Sequence, residues 1–311
     1  MVRAPRVPQG SLTALAVGAV VAVPSTFGLL ISRQVRRIRA NAMLPRPDYT
    51  VDITVQPPWV QGEPLRVTFL GDSLVEGVGA PRASQSLPAQ TAYRLAAHLG
   101  RPIRMRSHGI ASSKVDDVIR EQVPELDHDT DLVIVLIGAN DATGGTPPWE
   151  FARRIEALTV QAHERTGGAP VVFTGLPPVG SAPLLTMPLR EIASAMGDTL
   201  HTIQRRLAQR LPQARYIDIR CEVGDTLRRR GKELFAADHY HPNPAGYALL
   251  GEAVARSLTA MLHDERPVQA ATFTQAEMDA IHRAAWEELA ALPGITEEDA
   301  PPAPPAVASA A

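Results

Sequence analysis

Three short polar stretches carry the residue types that acyl transfer requires: Gly71-Asp72-Ser73-Leu74, Gly138-Ala139-Asn140-Asp141 and Asp238-His239-Tyr240-His241-Pro242. A serine hydroxyl is a weak nucleophile at neutral pH until a base takes its proton. A histidine serves as that base, and a carboxylate fixes its tautomer and stabilises the imidazolium. Amide and main-chain N–H groups then hold the oxyanion that develops on the attacked carbonyl. Each stretch also has a plainer reading. Ser73 could cap a helix, Asp72 brace a turn, Asn140 and Asp141 stabilise a strand-end turn, and Tyr240 pack. Asp238, His239 and His241 could bind a metal, although no further ligands of a closed site stand out.

The elements around these stretches decide between the readings. Apolar, strand-like runs fall at residues 65–70, 103–106, 131–137, 170–174 and 215–219. Residues 132–137 are apolar at every position, the pattern of a strand covered on both faces. Helical patterns lie between the strands at 89–99, 114–122, 148–166, 184–211 and 245–263. This alternation predicts a doubly wound, three-layer α/β/α domain around a mostly parallel five-stranded sheet. Active sites in such sheets form at the carboxyl ends of the strands. Ser73 follows the first strand, Asn140 the third, and Asp238 and His241 precede the last helix.

With these elements in place, the chain resembles the GDSL/SGNH hydrolase family over residues 65 to about 260. The family's nucleophile block corresponds to Gly71-Asp72-Ser73-Leu74, its Gly-x-Asn-Asp block to Gly138-Ala139-Asn140-Asp141, and its Asp-x-x-His-Pro block to Asp238, His241 and Pro242. The resemblance implies a serine esterase with Ser73, His241 and Asp238 as its triad and no cofactor or metal. It also implies an oxyanion hole built from the Ser73 N–H and the Asn140 side chain. One block departs from the pattern. Where the family shows Asn-x-Gly-x-x-Gly, this chain has Ser107-His108-Gly109-Ile110-Ala111-Ser112. In that register Ser112 replaces the glycine that donates its main-chain N–H, and Gly109 is the alternative donor if the register shifts. An acyltransferase acting on a sugar or lipid alcohol, and a degenerate domain used only for binding, are the competing functions. The expected substrate is a small-molecule, lipid or carbohydrate ester, with specificity set by the loops at 143–150 and 177–188.

Bulk properties exclude other classes. A formal net charge of −2 gives no global pull toward nucleic acid, whose phosphates call for a dense basic face. The single cysteine, Cys221, excludes an internal disulfide framework. Neither a G-x-G-x-x-G nor a G-K-[ST] phosphate loop occurs. At the N-terminus, residues 11–32 form 22 uncharged positions, long enough as a helix to cross a bilayer. Arg33, Arg36, Arg37 and Arg39 follow that run, before the small-x-small triplet Ala40-Asn41-Ala42. These features predict a single membrane anchor over residues 1–40, its domain on the cytoplasmic side by the flanking charges, or a secreted protein if the segment is cleaved. Residues 41–62 then read as a Pro-rich tether, 63–265 as the hydrolase domain, 266–298 as a C-terminal helix and 299–311 as a disordered Pro/Ala tail.

Overall fold

The computed structural model describes residues 33–34, 44–58 and 60–265. It contains one six-stranded sheet in the order β1-β3-β2-β4-β5-β6. Strand β1 is Asp52–Val55, β2 Leu65–Gly71, β3 Ile103–Ser107, β4 Leu132–Leu136, β5 Val171–Phe173 and β6 Ala214–Tyr216. All neighbours pair in parallel except β1, which runs antiparallel to β3. The α/β architecture is thus the expected one with an extra edge strand. That strand lies within residues 41–62, the stretch read as an extended tether. Its Val55 and the preceding Val51 are buried against the core, and the Arg106 and Arg104 side chains of β3 pair with Asp52. The prolines flank these four residues rather than interrupting them, so the ladder tolerates them.

The helices that matter for the site are α1 (Ser73–Glu76), α2 (Leu87–Leu99), α3 (Val115–Asp117), α4 (Ala139–Thr143), α5 (Pro148–Arg165), α6 (Leu189–Arg210), α7 (Ile219–Leu234) and α8 (Pro244–Glu265). A π-helical turn, Val118–Gln122, continues α3. Strand β4 shows why three layers form. Leu132, Ile134 and Leu136 join the core under α2, α7 and α8, whereas Val133 and Val135 join the core under α5 and α6. An apolar residue at every position therefore serves two cores through the two-residue period of the strand.

Two element boundaries differ from expectation. Helix α6 starts at Leu189 because Pro188 occupies its N-cap position. Helix α7 occupies a region expected to hold only the end of a strand. Asp218 caps it by accepting the Arg220 N–H at 3.1 Å, which stops β6 at Tyr216. Ile219, Val223 and Leu227 recur every fourth residue on its buried face.

The anchored localisation is not upheld. Among the described residues no helix is long and apolar enough to cross a membrane, and the run 11–32 lies outside them. The membrane partner expected through that run falls with it. The helix expected within 266–298 and the tail 299–311 also lie outside the described residues.

Candidate active site

The strand order β3-β2-β4 places the change of winding direction between β2 and β4, and an α/β sheet offers its crevice at that point. Gly71 and Leu136, the last residues of the two strands, are partners in register. The chain leaves β2 through Asp72 into α1 and leaves β4 through Gly138 into α4. Ser73 and Asn140 therefore project from adjacent strand ends. Asp72, not Ser73, is the cap of α1: its Oδ1 accepts the Leu74 N–H at 3.1 Å. The Ser73 hydroxyl is thereby left for other use.

The other side of the site comes from the loop before α8. His241 Nε2 lies 3.0 Å from Ser73 Oγ, and His241 Nδ1 lies 2.6 Å from Asp238 Oδ2. Both His241 and Asp238 are buried. The second carboxylate oxygen, Oδ1, accepts the main-chain N–H groups of Tyr240 and His241 at 3.0 Å each. His239 makes this tight turn with φ 58, in the left-handed region. Tyr240 packs edge-on against the His241 ring, centroids 5.1 Å apart. Burial pushes the Asp238 pKa up, but the hydrogen bond from His241 and the two main-chain donors outweigh it, so the carboxyl sits below its ordinary range.

The remaining expected residues surround this line. Asn140 Nδ2 donates to the Ser113 carbonyl at 3.0 Å and faces Asp72 Oδ2 at 3.4 Å. Asp141 is buried and structural: its Oδ2 accepts the Val115 N–H at 3.3 Å, joining α4 to α3. Ser112 has φ 68, the left-handed conformation that glycine adopts most cheaply. The main chain thus takes a glycine-like shape at the position where glycine was expected. Gly109 has a packing role: a Cβ there would sit 2.3 Å from the Glu76 nitrogen and 2.5 Å from the Val75 carbonyl carbon. Its missing side chain is what lets the loop close against α1. Among the described residues no group of three or more His, Cys, Asp or Glu side chains could hold a metal ion.

Two supporting residues carry no local motif. Gln122 is buried and clamps the end of β2, accepting the Gly71 N–H at 2.9 Å and donating to the Gly71 carbonyl at 2.8 Å. Glu76 accepts the Ala111 N–H at 2.7 Å through Oε2 and pairs with Arg46 at 2.7 Å through Oε1. It ties α1 to the loop that carries Ser112. The only signals in the sequence were a glutamine in an amphipathic run and a glutamate three residues beyond Ser73, both ordinary in composition.

Asp72 is 1% exposed, and that burial drives its carboxyl up to about 6 despite the Leu74 N–H and the nearby His241. A carboxyl with a raised folded-state pKa favours folding while protonated. Its contribution is full below pH 3.8 and is lost as the pH rises to about 6. Asp72→Asn removes this loss, so its stability relative to the native protein should climb by on the order of 3 kcal/mol between pH 4 and 7. Urea unfolding across that range measures it; parallel stability curves for the two proteins would contradict it.

The crevice over Ser73 and His241 has a volume of about 70 Å³ and largely apolar walls, including Leu74, Leu176, Val179, Leu227 and Phe235. Residues 177–179 of the loop expected to set specificity form part of its rim.

Comparison with known proteins agrees with this geometry. A family model described as the GDSL-like lipase/acylhydrolase family matches residues 69–249. A GDSL-like esterase of Mycobacterium tuberculosis is 28% identical over 204 residues, 62% of this chain and 62% of that protein. The chain therefore spans less than two thirds of the length of this relative. In fold, it is similar to the crystal structure of an α/β hydrolase enzyme from the metagenome of Lake Arreo, Spain, with a TM-score of 0.50 and 18% identity. That alignment covers 66% of this chain and 98% of the other.

Proposed function

We propose, for a chain that belongs to the GDSL-like lipase/acylhydrolase family, that it hydrolyses carboxylic esters through an acyl-enzyme on Ser73. The observation that carries the reading is the unbroken line Ser73–His241–Asp238, at 3.0 and 2.6 Å. Ser73 Oγ attacks the ester carbonyl carbon while His241 Nε2 takes its proton. Asp238 accepts the Nδ1–H bond, which leaves Nε2 as the proton acceptor and stabilises the imidazolium once formed. The tetrahedral intermediate collapses as His241 returns the proton to the departing alkoxide. Water then attacks the acyl-enzyme, with His241 as its base, and Ser73 is regenerated.

The oxyanion is held by the main-chain N–H groups of Ser73 and Ser112 and by Asn140 Nδ2. One Asn140 hydrogen is fixed on Ser113, which orients the amide. The other reaches Asp72 only at 3.4 Å, a weak contact that an oxyanion displaces. Asn140→Ala should lower kcat for p-nitrophenyl acetate by roughly 10²–10³, the cost of one preorganised donor. A fall of less than about tenfold would remove Asn140 from the oxyanion hole.

The small apolar crevice suits a short acyl chain better than a long one. Rapid-mixing kinetics with p-nitrophenyl acetate test the whole scheme. A burst of p-nitrophenol with an acetyl group trapped on the Ser73 peptide is expected. Steady turnover with acetyl recovered on another residue, or no turnover of any short ester, would overturn it.

A further inference from the structure

The crevice at Ser73 adjoins a far larger hollow of about 840 Å³. The two have Leu176, Pro178, Ala182 and Leu227 in common among their lining, so they lie side by side against the same loop and the same face of α7. Their linings differ sharply in character. The crevice is mainly apolar beyond the reacting groups, whereas the hollow is lined by Arg190 of α6 and by Arg220, Arg228, Arg229, Arg230 and Lys232 of α7. Against these cations stand the acidic side chains Asp198 and Glu233. A chain with a formal net charge of −2 has thus gathered a surplus of positive charge beside its active site.

Part of this charge is neutralised within the protein. Arg220 pairs with Asp198, Arg228 with Asp225, and Arg230 with Glu233. Arg190 Nε donates to the Leu185 carbonyl at 3.1 Å, which turns the side chain along the loop. Among the described residues no carboxylate partner is found for Arg190, Arg229 or Lys232. Cations lining a concave surface focus potential and raise the local concentration of anions. Planar guanidinium groups in particular match the oxygen geometry of phosphate.

We propose that the hollow binds a phosphate group on the alcohol portion of the ester, while the short acyl chain occupies the apolar crevice and the carbonyl lies at Ser73. The proposal rests on the esterase reading above and names its substrate class: a short-chain ester of a phosphorylated alcohol. A neutral alcohol would leave the cations of Arg229 and Lys232 with nothing to complement.

The test compares 1-butyrylglycerol 3-phosphate with 1-butyrylglycerol in the full chain. At low ionic strength kcat/KM should favour the phosphorylated ester by about tenfold or more, and the preference should shrink as salt shortens the screening length. The exposed double variant Arg229→Glu/Lys232→Glu should reduce the preference by about tenfold, with thermal unfolding as the check that it folds. A preference near unity, or one that survives the double reversal, would overturn the proposal. Calorimetric binding of glycerol 3-phosphate needs no turnover. It should be detectable in the native chain and weakened in the double variant even if neither ester is cleaved, an outcome that would count against the Ser73 mechanism alone. Sedimentation with phosphatidylglycerol vesicles separates a lipid surface from a soluble phosphate. Vesicle binding that the double variant loses, without any preference for the soluble phosphorylated ester, would assign the cations to a membrane surface and refute the proposal.

Discussion

Replacing Ser73 by alanine should lower kcat for p-nitrophenyl acetate by at least about 10⁴ while leaving the unfolding transition nearly unchanged, because the nucleophile carries the covalent step and no structural load. The helix that begins at Ser73 is capped by Asp72, and the Ser73 hydroxyl has His241 as its partner. Losing the hydroxyl therefore costs the fold one part-buried hydrogen bond, worth about 1 kcal/mol. The chemistry loses its acyl acceptor entirely. A variant that kept more than about one hundredth of the native rate would point to direct attack by water under His241, and to Ser73 as a spectator.

Asp238→Asn should be nearly as severe, with kcat down by about 10⁴, for a different reason. In the native site one carboxylate oxygen accepts two main-chain N–H groups and the other accepts His241 Nδ1–H. An asparagine can keep the first oxygen in place, so the tight turn survives. Its amide nitrogen then faces Nδ1 as a donor, which favours the imidazole tautomer with hydrogen on Nε2. That tautomer points a proton at Ser73 Oγ and cannot take one from it. The carboxyl's depressed pKa gives the same substitution a stability signature. A carboxyl lowered in the folded state contributes stability above its unfolded value, and this is lost as the pH falls through the folded value. Native and variant stabilities should therefore differ at neutral pH and converge in acid. Steady-state kinetics at neutral pH and urea unfolding from neutral to acid pH check the two halves. A variant with near-native kcat would mean that orientation of His241 does not depend on Asp238.

The residues of the site were legible in the sequence to different depths. Ser73, Asn140, Asp238 and His241 sit in short local patterns at strand and loop ends, and local patterns are what a single sequence displays. Their convergence followed from the β-α alternation, which by itself implies the sheet and the crevice at its carboxyl edge. Gln122 and Glu76 were not legible. Each acts across a long sequence separation, on Gly71 and on Ala111, and neither residue type announces such a partner. Helix α7 had a four-residue apolar period, but its arginines and glycines masked the amphipathic pattern. Edge strand β1 was hidden for the opposite reason. Its prolines lie on either side of the four paired residues, and composition averaged over residues 41–62 read as an unpaired stretch.

Ser112 illustrates how conformation completes what residue type left open. Ser112 can donate its main-chain N–H only if the backbone there takes a shape that glycine usually supplies, and Gly109 was the alternative if the register shifted. The main chain favours Ser112 as the proposed donor on physical grounds. Gly109 is needed where the loop meets the backbone of α1, and Ser112 adopts the left-handed φ for itself. A non-glycine residue there costs on the order of 1–2 kcal/mol. The hydrogen bond from the Ala111 N–H to the half-buried Glu76 carboxylate helps hold the loop in that strained shape.

The central claim is that Ser73 is an activated nucleophile, and covalent labelling with a fluorophosphonate tests it most directly. The account predicts one label per chain, mapped to the Ser73 peptide, absent in Ser73→Ala and strongly slowed in Asp238→Asn. An unlabelled protein that still hydrolyses short esters, or a label on any other residue, would contradict it.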